Sequence, residues 1–342
     1  MAEISGRGER ESNLEALRIV SMLMVLAVHA DGASLGLPLP KGDWDALTAR
    51  EIWRTVVESL AIVGVNCFTM ISGYFGISLR PRKVMTFLGI ALFYSCGIYL
   101  VFCAANPAEF SWCKLGEYAR VITCNDLWYV PAYFALMIAA PCLNWIAAEM
   151  PWRGFSMLVF ALVWLNVFLG WGLGMEFNPT GYTLVQLIMM YMLGRWLGMC
   201  PRPGRVAGYV ALGVYLLAAG AVAVSSLHIE SSRAYAYNSP AVLVESIALF
   251  LFFTLMQFRS VWVNRLAASA FAVYLIHKHP IVWVRWMKPT VINLWNSMGL
   301  TAFTFSVIGM IAGIYLTCHL IDSARRLAVK ACSIIKTVCI TR

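Results

Sequence analysis

Arg18 and His29 lie on one apolar segment, in the run NLEALRIVSMLMVLAVHADG. Eleven residues of α-helix turn through about 1100°, three turns plus roughly 20°, so both side chains leave one face about 16 Å apart along the axis. An imidazole can take a proton near neutral pH, and a guanidinium can hold an anion. Ionisable groups inside an apolar span are costly unless paired or hydrated, so the pair marks a candidate site. The competing reading is structural: an arginine about four residues into a span can snorkel to the headgroups, and the histidine can be a satisfied core side chain.

A second group is His277, Lys278 and His279, followed by Pro280. Residues two apart point about 200° from each other on a helix, so both histidines cannot serve one site unless the helix breaks there. A third is the basic run Arg80, Arg82 and Lys83, just after Gly73 and Gly76, whose spacing suits close helix approach. No local cluster supplies the three or four convergent ligands of a metal site, and none is expected. The 10 cysteines include no pair at the two-residue spacing of a zinc or redox motif; Cys103, Cys113 and Cys124 fall in or beside one polar loop, where a disulfide is conceivable.

The elements that must position these groups are membrane spans. The chain is 61% hydrophobic and 13% charged, with a mean hydropathy of +0.73, against roughly 25% charged residues in soluble domains. Ten apolar stretches are predicted, approximately 14–35, 56–77, 84–105, 127–146, 155–171, 182–198, 206–226, 241–258, 266–286 and 300–321. The expected fold is therefore an all-α polytopic bundle. Lysine and arginine favour one set of links by about two to one, which puts both termini in the cytoplasm and makes the net charge of +9 a topology signal rather than a nucleic-acid one. Residues 1–13 read as a polar cytoplasmic segment without the marks of a cleavable signal, 14–321 as one membrane domain, and 322–342 as a basic cytoplasmic tail suited to an anionic leaflet.

On this topology Asp126, Trp128, Tyr129, Pro131 and Tyr133 open the fourth span from outside. They form either an interfacial aromatic belt or a platform on which sugar C–H faces stack while Asp126 accepts from hydroxyls. Glu58 and Glu245 lie near outer span ends, and either could orient His29 from behind.

Arg18 and His29 on the first span, then CFTMISGYFGISLRPRK, then LWYVPAYFALMIAAPCLNWI, and late in the chain VYLIHKHP, together resemble the membrane acyltransferase 3 family. Its members are bacterial multi-pass enzymes of the inner membrane that O-acylate, usually O-acetylate, surface glycans. The resemblance covers nearly the whole chain and is to the minimal, stand-alone type. It implies an acyl-CoA, usually acetyl-CoA, as co-substrate, no tightly bound cofactor, and a glycan or lipid-linked sugar as acceptor. It further implies His29 as general base with Arg18 on the same face, Arg80, Arg82 and Lys83 toward the CoA phosphates, and His277 as the late histidine; on the outer-face reading of the residues themselves, Asp126, Trp128, Tyr129 and Glu58, with His277, are the expected acceptor contacts. Ordinary positive-inside anchoring explains the basic run equally well. A transporter or ligand sensor using the same polar interior is the alternative function, and a structural partner in a polysaccharide export complex a third.

Overall fold

The computed structural model describes residues 11–38, 47–123, 127–201, 204 and 206–340, with side chains to residue 332. Every regular element among them is helical. In chain order these are α1 (Ser12–Val28), widening into a π turn at His29–Ala33, α2 (Ala49–Ala61), α3 (Gly64–Phe75), α4 (Pro81–Ala105), α5 (Trp112–Ala119), α6 (Tyr129–Glu149), α7 (Trp152–Leu165) with a π continuation at Asn166–Gly172, α8 (Leu184–Met199), α9 (Val206–His228), α10 (Ser231–Ala234), α11 (Pro240–Leu255), α12 (Val261–Ala267), α13 (Ala270–His277), α14 (Pro280–Val282) with a π continuation at Trp283–Met287, α15 (Lys288–Ser297) and α16 (Leu300–Ile340).

Among the described residues, seven helical stretches are long and apolar enough to cross a bilayer: Ser12–Ala33, Ala49–Phe75, Pro81–Ala105, Tyr129–Glu149, Trp152–Gly172, Val206–His228 and Leu300–Cys332. Three shorter apolar helices, Leu184–Met199, Pro240–Leu255 and Val261–His277, fall on the remaining predicted stretches. Their outward faces are apolar; in α9, Tyr209 and Leu217 are each 77% exposed, a surface that suits lipid and not water.

Two stretches differ from the sequence expectation. The second begins at Ala49 rather than near residue 56, because Thr48 and Glu51 form a capping box: the Thr48 side chain accepts from Glu51 N–H while Glu51 accepts from Thr48 N–H. The ninth is not one helix. It stops at Ala267, restarts at Ala270 and stops again at His277, the last stop because Pro280 lacks the N–H that would continue the ladder. The residues after 321 continue α16 to Ile340 without a break.

The chain divides into two compact units. The first comprises Met1–Val25, Pro38–Ile77 and Cys142–Ala268. Here α3 and α8 touch backbone to backbone: a Cβ on Gly73 would stand 2.1 Å from the Tyr191 carbonyl oxygen, and one on Gly194 2.3 Å from that of Met70. Glycine at both positions is what permits the approach, the role expected of Gly73; Gly76 instead ends α3 at φ 75°. Buried amides bind these helices to α11. Asn66 Nδ2 donates to the Tyr237 carbonyl at 2.9 Å and to Ser246 Oγ at 3.1 Å, and Gln186 Nε2 donates to Asn66 Oδ1 at 3.0 Å.

The second unit comprises Leu26–Leu37, Ser78–Pro141 and Ser269–Arg342. Its anchor is Asp322 on α16, 1% exposed, which accepts from Tyr94 of α4 at 2.9 Å and from Ser269, at the start of α13, at 3.0 Å. Arg325 and Arg326 pair with the same carboxylate at 2.7 and 3.2 Å, so the buried charge is neutralised by its own helix. This fixes the N-terminus of α13, whose other end carries His277.

Candidate active site

The second unit brings His29 and His277 together, 248 residues apart in sequence. His29 opens the π turn after α1, a widening common at functional sites, and Ser34 Oγ bonds back to its carbonyl at 2.8 Å. Its Nδ1 lies 2.8 Å from His277 Nε2, with ring centroids 5.1 Å apart. His277 is 1% exposed, and its Nδ1 sits 2.6 Å from the Val273 carbonyl oxygen one turn back.

These distances fix the tautomers of the neutral pair. A nitrogen facing a carbonyl oxygen at hydrogen-bond distance must carry the proton, so His277 Nδ1–H donates to Val273. His277 Nε2 is then unprotonated and accepts from His29 Nδ1–H. The chain of donors ends there, and His29 Nε2 is left with a bare lone pair. That is the protonation state a general base requires.

The helix break sends three consecutive side chains in different directions. His277 goes to His29; Lys278 Nζ lies 4.0 Å from the Trp283 ring centre, and Trp283 meets His29 edge-on with centroids 5.7 Å apart. His279 turns away: its Nε2 donates to the Ser95 carbonyl at 3.0 Å, its Nδ1 accepts from Ile281 N–H at 3.2 Å, and its ring stacks on Tyr118. Both of its nitrogens are used by backbone, whereas His277 turns one of its nitrogens to another side chain. In the link between α4 and α5, the Glu109 carboxyl is held below the usual carboxylate range by hydrogen bonds from Arg285, 3.0 Å away, and from Lys114.

The aromatic group at the start of α6 belongs to the same unit. Tyr129 stacks on Tyr133 and meets Tyr274 edge-on at 5.8 Å, and Tyr274 in turn meets His277 at 6.1 Å. Trp128 packs edge-on against Tyr129. Asp126 and Cys124 lie outside the described residues; Cys103 is buried, Cys113 is exposed, and both are free thiols.

The other predicted residues are placed elsewhere. Arg18 belongs to the first unit, where its Nη1 pairs with Glu15 at 2.9 Å, one turn earlier; Glu15 is 6% exposed. The anion that Arg18 holds is thus local, a carboxylate on its own helix. Glu58 and Glu245, expected behind His29, are both 0% exposed and belong to the first unit; the His29 nitrogen either would have held is taken by His277. Arg80, Arg82 and Lys83 form the exposed first turn of α4, with Lys83 Nζ 2.6 Å from Ser78 Oγ. Cations at a helix N-terminus add to the positive end of the dipole rather than offsetting it, which makes this turn attractive to anions.

Residues 11–319 match the model of the acyltransferase 3 family, described as an acyltransferase domain. The chain belongs to that family. No curated protein and no solved structure matches it. An acyltransferase 3 protein needs an acyl donor and an acceptor in a membrane, and the histidine pair presents a bare imidazole lone pair that can take a proton. Sequence reasoning singled out both histidines and Lys278 but not the bond between the histidines, nor Trp283 beside it. The helix break that joins them was signalled by Pro280.

Proposed function

We propose that this protein is a membrane O-acyltransferase that passes an acyl group, acetyl in the simplest case, from cytoplasmic acyl-CoA to a hydroxyl of a cell-surface or lipid-linked glycan. The observation that carries the reading is the 2.8 Å contact of His29 Nδ1 with His277 Nε2. The His29 Nε2 lone pair takes the proton of the acceptor hydroxyl as its oxygen attacks the thioester carbonyl. The tetrahedral intermediate collapses by breaking the C–S bond, and the departing CoA thiolate takes that proton back from His29. His277 holds the imidazole in the required tautomer and shares the transient charge through the same hydrogen bond. The chain thus needs no external proton donor or acceptor over one turnover.

The aromatic series Trp128, Tyr129, Tyr133 and Tyr274 is the surface for the acceptor, since it leads to His277 within one unit. The exposed Arg80–Lys83 turn takes donor phosphates; the two-to-one bias of lysine and arginine along the chain supports a cytoplasmic position for it, the side where CoA is found. In this scheme the bilayer is the bacterial inner membrane. Purified protein in lipid nanodiscs, given radiolabelled acetyl-CoA and candidate glycans, tests the reading: label must appear on the glycan with release of free CoA thiol. Uptake of an unmodified solute without CoA release would instead establish the transporter alternative.

A further inference from the structure

Arg195, toward the C-terminal end of α8 in the first unit, is a cation without a counter-ion among the described residues. Its Nε is buried and unbonded, and the guanidinium makes no hydrogen bond or ion pair among the described residues. Arg18 in the same unit has Glu15, and Arg233 donates to the Trp171 and Gly172 carbonyls. A half-buried guanidinium with nothing to neutralise it is costly unless an anion completes it.

The surroundings of Arg195 are built and rigid. Its Nη1 lies 3.0 Å, and its Cζ 3.6 Å, from the point where a Cβ on Gly76 would stand, so a side chain at 76 would press on the guanidinium. The Gly76–Ile77 turn is held by a closed set of hydrogen bonds. Ile77 N–H donates to Tyr191 Oη at 2.8 Å, Tyr191 O–H donates to Asn144 Oδ1 at 2.7 Å, and Asn144 Nδ2 donates to the Ile77 carbonyl at 2.8 Å. Tyr191 and Arg195 are four apart on α8 and so share a face. The bracing fixes the turn without using any guanidinium donor.

We propose that Arg195 and the Gly76 turn form a notch that binds a phosphoryl group. The planar fork of a guanidinium presents paired N–H donors to two phosphate oxygens, and Gly76 leaves that fork uncovered. Two sources carry this chemistry, the phosphates of an acyl-CoA donor and the headgroup of an anionic phospholipid; the first rests on the donor proposed above.

Full-length protein in phosphatidylcholine nanodiscs is titrated calorimetrically with coenzyme A and with adenosine 3′,5′-bisphosphate, and melted with and without added phosphatidylglycerol. If the donor is the source, Arg195→Gln weakens coenzyme A binding about 10- to 100-fold, and Arg195→Lys, which keeps the charge but not the fork, recovers part of it. If the lipid is the source, phosphatidylglycerol raises the melting temperature of the wild type but not of Arg195→Gln, and coenzyme A affinity is unchanged. Equal coenzyme A affinity and an equal lipid response in wild type and variant overturn the notch. Should Arg195→Gln fail to insert, Arg195→Lys carries both comparisons on the same terms. A wild type that binds neither coenzyme A nor the bisphosphate overturns the donor reading alone, and the lipid arm then decides the notch.

Discussion

His277 and His279 stand two residues apart in one short motif and are both 1% exposed, yet their hydrogen bonds differ in kind. Both nitrogens of His279 are spent on backbone, on the Ser95 carbonyl and the Ile281 N–H. His277 spends one on Val273 and turns the other to His29. Burial therefore does not separate a structural histidine from one that can take part in chemistry. What separates them is where the second nitrogen points.

The sharpest break of that contrast is at His29 itself. His29→Gln, which keeps a polar side chain at the position, is expected to reduce acyl transfer by about 10²- to 10⁴-fold, the usual contribution of a general base, with insertion and melting temperature near wild type. Turnover close to wild type would remove His29 from the base role. The next largest effect belongs to His277. His277→Ala frees the His29 tautomer and is expected to lower kcat by about 10- to 100-fold with little change in the KM for donor, because the proton is moved only during the chemical step. Since the two histidines act as a unit, adding His277→Ala to His29→Ala should cost almost nothing further; additive losses would mean that they work separately.

His279→Ala should behave oppositely. It leaves the Ser95 carbonyl and the Ile281 N–H without their buried partner, at a cost of about 1–3 kcal/mol, so thermal melting should fall by several degrees while turnover of the folded fraction stays within a few-fold. If His279→Ala abolished transfer in a protein that melted normally, the division between the two histidines would be wrong.

Much of this was legible in the chain. The apolar stretches each hold a helix, and Pro280 announced the break that lets neighbouring histidines diverge. His29 and His277 could be singled out because an ionisable group in an apolar run is costly. Their bond could not be read, since it joins residues 248 apart and no local spacing encodes that distance. The same limit hid the assignment of Glu58 and Glu245 to the first unit and of His29 to the second: a position near an outer span end says nothing about which unit the span joins. Glu15 was a different kind of omission. It stands three residues before Arg18, a spacing at which side chains meet on a helix, and was visible without any structure.

Glu15 also supplies the smallest test, at the other end of α1. Arg18 keeps 29% of its side chain exposed and Glu15 keeps 8%, so solvent screens part of the pair and its contribution to stability is at most about 1 kcal/mol. If Arg18 serves only to neutralise Glu15, then Arg18→Gln and Glu15→Gln should each lower melting slightly and leave the KM for acyl-CoA unchanged. If Arg18 also meets the donor, Arg18→Gln alone should raise that KM, and Glu15→Gln, which releases the guanidinium from its partner, should lower it or leave it alone. Matched Michaelis curves for the two variants decide between a local ion pair and a donor contact, because only the second makes Arg18→Gln raise the KM while Glu15→Gln does not.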